Sequence, residues 1–409
     1  MKDHCVATYR LFDDRADFHK KAEGIAVGLT VGSWTELPEA RKAEMSKHLG
    51  KVISIEEHPS DVLGERYADI AIAYPDINFS PDIPALLVTA FGKLSMDGRI
   101  KLLDIDFSDA FTASFQGPKY GIDGVRELLG VHDRPLLMSI FKSVIGHDLA
   151  ALKEQFYQQA LGGVDLIKDD EILFENPLTP IDMRVRACME AAARAEQVTG
   201  KKLLYAVNLT GSTFSLREQA LRAIEAGANA LLFNVLSYGY DVLHGLSQDP
   251  DITVPIAAHP ALAGAYYPAR EHGIAAPLLL GKLMRLAGAD LVLFPSPYGS
   301  VTMPKEETQG IRHALTSVND SFGAIHKRSF PVPSAGIHPG LVPFIIQDFG
   351  NDVVVNAGGG IHGHPMGTAA GGHAFVDAID AVLKGDTLEA RAAISEPLAA
   401  AIGLWGVKK

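Results

Sequence analysis

PLLMSI (135–140), VDLI (164–167), LYAVNL (204–209) and ALLFNV (230–235) open a series of short, mostly apolar runs. It continues with PIAAH (255–259), LVLFP (291–295), FPVPS (330–334) and DVVVNA (352–357), eight runs in all. Runs this short and this apolar suit strands of a parallel sheet covered on both faces. Helical patterns fall between and after them, at 149–161, 181–199, 215–226, 240–247, 275–287, 305–317, 341–349 and 369–383. Eight βα units close into a (β/α)8 TIM barrel of ordinary size. A doubly wound open sheet is the second choice, disfavoured by the count of eight.

Before residue 130 the order is mixed. Strand-like residues 5–11 precede a helical pattern at 15–27, then alternating runs at 52–57 and 67–73 flank the turn-rich HPSDVLGE (58–65). A helical stretch at 83–91 and a strand at 101–107 follow. Hairpin-paired strands with interspersed helices predict a ferredoxin-like α+β domain. The chain thus divides into an N-terminal α+β domain (1–125) and a TIM barrel with a C-terminal helical tail (126–409).

Composition narrows the function. With 47% hydrophobic and 21% charged residues the chain reads as globular, and its formal net charge of -12, without a Lys/Arg block, argues against nucleic acid. The two cysteines, Cys5 and Cys188, lack metal-ligand spacing, which fits a reduced, cytoplasmic setting. MKDHCVATYRLFDD carries charge where a signal peptide needs an apolar stretch, and no apolar window is long enough to predict a membrane span.

Active sites of this fold sit at the C-terminal ends of the strands. After the first run comes Lys142; after the second, Lys168-Asp169-Asp170-Glu171. Lys168 and Asp170, two apart, share a strand face, and Glu171 can join them as strand gives way to loop. Two converging carboxylates suit Mg²⁺, while a lysine between them suits it only if CO₂ converts the amine to a carbamate. On those four letters alone a solvated charge run is the plainer reading; their place at the rim favours the metal. Ser334-Ala335-Gly336 and Gly358-Gly359-Gly360 end the last two runs, where this fold usually binds phosphate, although either taken singly is an ordinary glycine turn. His259, at the same rim, reads by itself rather as a core or capping histidine. His338, His362 and His364 are not assigned as ligands. Lys93, in FGKLSMDG, reads by itself as a surface lysine in a turn.

GGVDLIKDDEILFEN (162–176) resembles the activation motif of the RuBisCO large-chain family. GLTVGSWTELP (28–38) resembles its N-terminal-domain signature, and AGGGIHGHPMG (357–367) its final phosphate loop. The likeness covers nearly the whole chain in the same order. Two departures stand out: the loop FPSPYGSVTMP (294–304) has no lysine, where carboxylases use one to polarise CO₂. Pro260 follows His259, where they place an arginine for a second phosphate. The pattern is similar to the RuBisCO-like 2,3-diketo-5-methylthiopentyl-1-phosphate enolases of bacterial methionine salvage. NFSPDIPALLVTAFGKLSMDG, RPLLMSIFKSVIG, LYAVNLTG, LFPSPYGSV and VPSAGIHPGLVP carry that likeness.

The resemblance implies Lys93 as general base, and Lys168 as an N6-carboxylysine that holds one Mg²⁺ per subunit with Asp170 and Glu171. It implies substrate contacts from Lys142, Lys168, Asp169, Asp170, Glu171 and His259, and phosphate binding around Ser334, Gly336, Gly358 and Gly359. The resemblance further implies a small phosphorylated diketone as substrate, and no carboxylase activity is expected. The resemblance also implies a homodimer in which Lys93 works on the partner's barrel. Two other readings are an isomerase or decarboxylase on another sugar phosphate, and a metabolite sensor without catalysis.

Overall fold

The computed structural model describes residues 3–32, 39–60, 63–318 and 326–407. Residues 33–38 of the GLTVGSWTELP motif lie outside them. Strands β1 (His4–Phe12), β2 (Lys51–His58), β3 (Tyr67–Pro75) and β4 (Ile100–Asp106) form an antiparallel sheet. In it β1 lies between β3 and β4, and β2 pairs with β3. Buried and half-buried residues alternate along β1 and along the first part of β3, so Cys5, Ala7 and Tyr9 face the same core as Ile70 and Ile72. The helix Phe18–Gly28 adds Phe18, Ala22 and Ala26 to that core, and its first turn is capped by the Asp17 carboxylate accepting from the Lys20 N–H.

The eight apolar runs form eight parallel strands. They are β5 (Leu136–Ile140), β6 (Leu166–Lys168), β7 (Leu204–Leu209), β8 (Ala230–Phe233), β9 (Ile256–Ala258), β11 (Leu291–Pro295), β12 (Phe330–Ser334) and β13 (Val354–Ala357). From β5 to β12 each pairs with the next in chain order, and β13 pairs with β5, a sequence that an open doubly wound sheet does not have. Asn356 Nδ2 donates to Ser334 Oγ at 2.8 Å between β13 and β12 and completes the ring. One further strand escaped sequence reading. The two-residue β10 (Gly273–Ile274), from the loop after β9, pairs in parallel with β4 and so joins the first sheet.

Alternation inside the barrel is regular. Leu136 and Met138, Leu204 and Ala206, Leu291 and Leu293 belong to one buried apolar cluster filling the lower barrel. The helix Gly121–Leu129 closes the bottom of that cluster with Ile122, Val125 and Leu129. Asp290, just before β11, ties this end together. Its Oδ1 accepts from the Tyr120 and Gly121 N–H groups at 2.7 and 2.8 Å, and its Oδ2 from Ile256 N–H at 2.8 Å. Among the described residues no helix is long and apolar enough to cross a membrane.

Asp290→Asn leaves at least one of those three N–H groups without an acceptor in either amide orientation, a loss of about 1–3 kcal/mol. Burial pushes the Asp290 carboxyl up to about 6, against the pull of its three backbone hydrogen bonds. The native carboxyl therefore holds its proton to higher pH than the unfolded one, and this group's contribution to stability falls as pH rises from about 4 towards 6. Urea midpoints across that range should show the wild-type advantage over the variant shrinking with rising pH.

Candidate active site

Two residues beyond the apolar layer, the inward positions change character. Lys168, Asn208, Asn234, His259, Ser334 and Asn356 follow the inward-facing Leu166, Ala206, Leu232, Ala257, Val332 and Val354 at the strands' C-terminal ends. The barrel's floor is apolar and its mouth polar because the same alternation runs through both. A cavity of about 330 Å³ opens there, lined by Lys142, Lys168, Glu171, His259, Ser334 and Asn356 among others.

Lys168 ends β6, and its side chain is 1% exposed. The amine donates to Asp169 O at 2.8 Å and stands 3.5 Å from Glu171 Oε2. Burial holds its pKa below the ordinary lysine value, although Glu171 and Asp170 pull the other way. Asp170 lies beyond the strand end, where its Oδ2 accepts from Lys142 Nζ at 2.9 Å. His259 Nε2 is 3.4 Å from Glu171 Oε2. Burial first, then the nearby Lys168, push the His259 pKa well below its usual value, so the ring is neutral. Lys142, Lys168, Asp170, Glu171 and His259 thus meet at one place.

Asp169 does not join them. Strand alternation turns its side chain out of the barrel, where it is fully buried. There Oδ1 accepts from Tyr205 Oη at 2.6 Å, and Oδ2 accepts from Asn208 N–H at 2.9 Å and Arg184 Nη2 at 3.2 Å. Its carboxylate oxygens are occupied there, and they hold the chain on which Lys168 and Asp170 sit.

The two glycine loops arrive by close packing. A Cβ on Gly358 would stand 2.8 Å from Lys142 Cε, so that loop lies against the Lys142 side chain. Gly336 has φ +68, and a Cβ there would fall 2.4 Å from Ser300 N, which packs loop seven on loop six. Ser334 lines the cavity beside Ala335, while Gly359 has open space before it. Among the described residues the three non-glycine residues with positive φ are Ser143, Leu262 and Ala335, all in loops at this mouth. Such strain collects where surrounding structure fixes a binding loop. His362 bonds Ile140 O and His364 bonds Pro397 O, while the His338 ring stacks on Trp405.

Lys93 lies elsewhere. It follows a π-helical turn, Val88–Gly92, and lines a separate cavity of about 670 Å³ in the N-terminal part, with Leu11, Asp13, Lys21 and Arg99. It is not among the residues lining the barrel cavity.

Sequence reading missed Asn208, Asn234 and Asn356. Asn208 and Asn234 both donate to the Glu171 carbonyl, at 3.0 and 3.3 Å, and so set the loop that carries Glu171. The signal that finds them is register: each stands two residues after an apolar position that the structure turns inward. Among the described residues no three His, Cys, Asp or Glu side chains gather into a metal-holding group. The mouth offers two carboxylates and an amine.

An eight-stranded barrel with a polar mouth, joined to an antiparallel α+β sheet, defines the architecture of a RuBisCO large subunit. The chain belongs to the RuBisCO large-chain family: the model for its N-terminal domain matches residues 1–111 and that for its catalytic domain residues 121–405. The 2,3-diketo-5-methylthiopentyl-1-phosphate enolase of Geobacillus kaustophilus is 56% identical over 409 residues, covering 98% of each chain. That of Bacillus cereus (strain ATCC 14579) is 55% identical over 408 residues, 98% of this chain and 97% of the relative. Among solved structures, a RuBisCO-like protein (MtnW) from Alicyclobacillus acidocaldarius matches with TM-score 0.93 and 51% identity, over 99% of this chain and 100% of that one. The octameric RuBisCO of Pyrococcus horikoshii matches with TM-score 0.90 and 30% identity, over 99% and 95%. A dimeric archaeal RuBisCO from Hyperthermus butylicus gives TM-score 0.90 and 28% identity, over 100% and 97%.

Arg184→Met should cost about 3–5 kcal/mol, because it leaves the buried Asp169 carboxylate short of its cation. Urea unfolding followed by circular dichroism measures this loss.

Proposed function

We propose that this chain enolises 2,3-diketo-5-methylthiopentyl 1-phosphate to 2-hydroxy-3-keto-5-methylthiopentenyl 1-phosphate, a step of methionine salvage. It is an isomerase, a keto–enol tautomerase, and not a carboxylase. One observation carries this reading: an intact lysine–carboxylate cluster at the mouth of a chain 55–56% identical, nearly end to end, to enzymes named for this substrate. Loop 296–304 has no lysine, and Pro260 lines the cavity where a carboxylase would need an arginine. The same identity favours this substrate over another sugar phosphate, and the intact cluster favours an enzyme over a sensor.

The donor set fits Mg²⁺ on one condition. Asp170 and Glu171 supply two oxygen ligands, and the buried Lys168 amine, held towards its neutral form, is poised to take up CO₂ as a carbamate and supply the third. Bound there, the ion would act as a Lewis acid, stabilising the charge that develops on the substrate's carbonyl oxygens.

The remaining work falls to side chains and backbone. Ser334 and the N–H groups around Gly336, Gly358 and Gly359 would hold the phosphate, with Lys142 beside them, and so fix the adjacent carbon. Neutral His259 can exchange a hydrogen bond with a substrate oxygen without adding charge. Lys93 would take the proton from C1, and the C2 oxygen would gain one to give the enol. Since Lys93 does not line its own chain's barrel cavity, the reading places it at the mouth of a partner subunit in a homodimer. A cytoplasmic setting agrees with both cysteines being free and buried.

Lys93→Ala should bind substrate yet lose deuterium exchange at C1 by NMR; retained exchange would remove Lys93 from the mechanism. Co-refolding equal amounts of Lys93→Ala and Lys168→Ala chains should restore about a quarter of wild-type activity, since half the dimers would each carry one intact site of two. No recovery would place Lys93 in cis. With ¹³CO₂ and Mg²⁺, wild type should show a carbamate carbon resonance that Lys168→Ala lacks.

A further inference from the structure

The amine read above as the proton acceptor is carried by an uncommon turn. Lys93 is exposed, but it follows directly on the π-helical turn Val88–Gly92, and its neighbours Phe91 and Leu94 are buried in the core. A π turn spans one residue more than an α turn, occurs mostly singly, and is frequent at functional sites. Relaxed to regular α-helix, the same residues would carry the Lys93 side chain about a quarter turn around the axis. The width of this turn therefore decides where the amine points.

Two buried phenols bear on it. Tyr9 on β1 and Tyr74 on β3 are both 0% exposed, and their hydroxyl oxygens stand 2.8 Å apart. Tyr9 Oη donates to the Ala90 carbonyl, inside the π turn, at 2.6 Å. A phenol has one proton to give, so Tyr74 supplies the bond to Tyr9, and donation runs from Tyr74 through Tyr9 to Ala90. Burial raises both phenols above their ordinary range, so this direction holds at any working pH. The Phe91 ring stacks on Tyr9, with centroids 6.3 Å apart. A hydroxyl entering from the sheet gives Ala90 O a partner outside the helix, one of the ways a helix is held out of its regular ladder. For packing alone, phenylalanine would serve at both positions without burying a polar group.

We propose that Tyr9 and Tyr74 are positioning residues: their hydroxyl relay holds the Val88–Gly92 turn in its wide form and so aims the Lys93 amine at the substrate carbon. The inference rests on the reading of Lys93 as the base. Both phenols are wholly buried, so they act through Ala90 and not on the substrate. Orientation is where such an effect is felt, because a reacting group displaced by about 1 Å can cost about a hundredfold in rate. Binding, which the barrel supplies, is left as it was.

Tyr9→Phe removes both bonds and keeps the ring, while Tyr74→Phe removes only the outer one. In steady-state assays of the full-length protein with 2,3-diketo-5-methylthiopentyl 1-phosphate, Tyr9→Phe should lower kcat about ten- to hundredfold and leave KM within about twofold. Tyr74→Phe should lower kcat by less, with KM equally unmoved. Both should keep the ¹³C carbamate resonance at full intensity per subunit, since Lys168 lies in the barrel. Unchanged kcat in both variants would overturn the relay. So would losses shared among kcat, KM and the carbamate signal, which mark general disruption of the fold. Should Tyr9→Phe fail to fold, Tyr74→Phe decides alone by the same split. If Lys93→Ala keeps wild-type exchange, the base reading fails instead; an inert Lys93→Ala beside two fully active phenol variants sinks the relay alone.

Discussion

A lysine amine with almost no water and few acceptors governs the mouth of this barrel. Lys168 is 1% exposed, yet one carbonyl at hydrogen-bond distance and one carboxylate at 3.5 Å are what the structure offers its charge. A buried ammonium needs more than that, which is why its charged form is disfavoured. The surroundings are built to keep it there. Asp169, Arg184 and Tyr205 form a buried polar network behind the strand, and Asn208 and Asn234 hold the following carbonyl in front of it. On the reading proposed above, the neighbouring carboxylates gain their chemistry from this placement, since a carbamate on this amine would join Asp170 and Glu171 in holding a dication.

The barrel was legible because parallel strands buried on both faces must be short and apolar, and eight such runs left little choice. Helices at 149–161 and 181–199 match the sequence pattern to the residue, since each begins beside a helix-starting signal and ends at a glycine. The cluster at Lys168 was legible for a related reason: charge at the end of an apolar strand is conspicuous. Resemblance then supplied roles that residue chemistry alone left open, for Lys93 above all.

What stayed hidden depends on packing across the chain. Asparagines at 208, 234 and 356 carry no charge, so nothing in the sequence raises them above loop polarity until the inward register of each strand is known. Asp169 sits in the same four-letter motif as its neighbours, but a one-residue step on a strand sends it to the opposite face. The short strand at 273–274 has no periodicity to read; it exists because an edge of another sheet is within reach. Lys93 sits near a wide cavity of its own, which the sequence could not separate from the barrel site.

The pairing of β4 with β10, in the loop after β9, gives the N-terminal sheet a divided allegiance. Its edge strand shapes the barrel of its own chain, while Lys93, a few residues upstream of that strand, serves the neighbouring barrel on the reading above. Exchange of this segment between relatives would therefore disturb two active centres at once, one through its walls and one through its proton acceptor. Evolution of such a chain is bound to coordinated change in both halves, so neither half is a freely transplantable module.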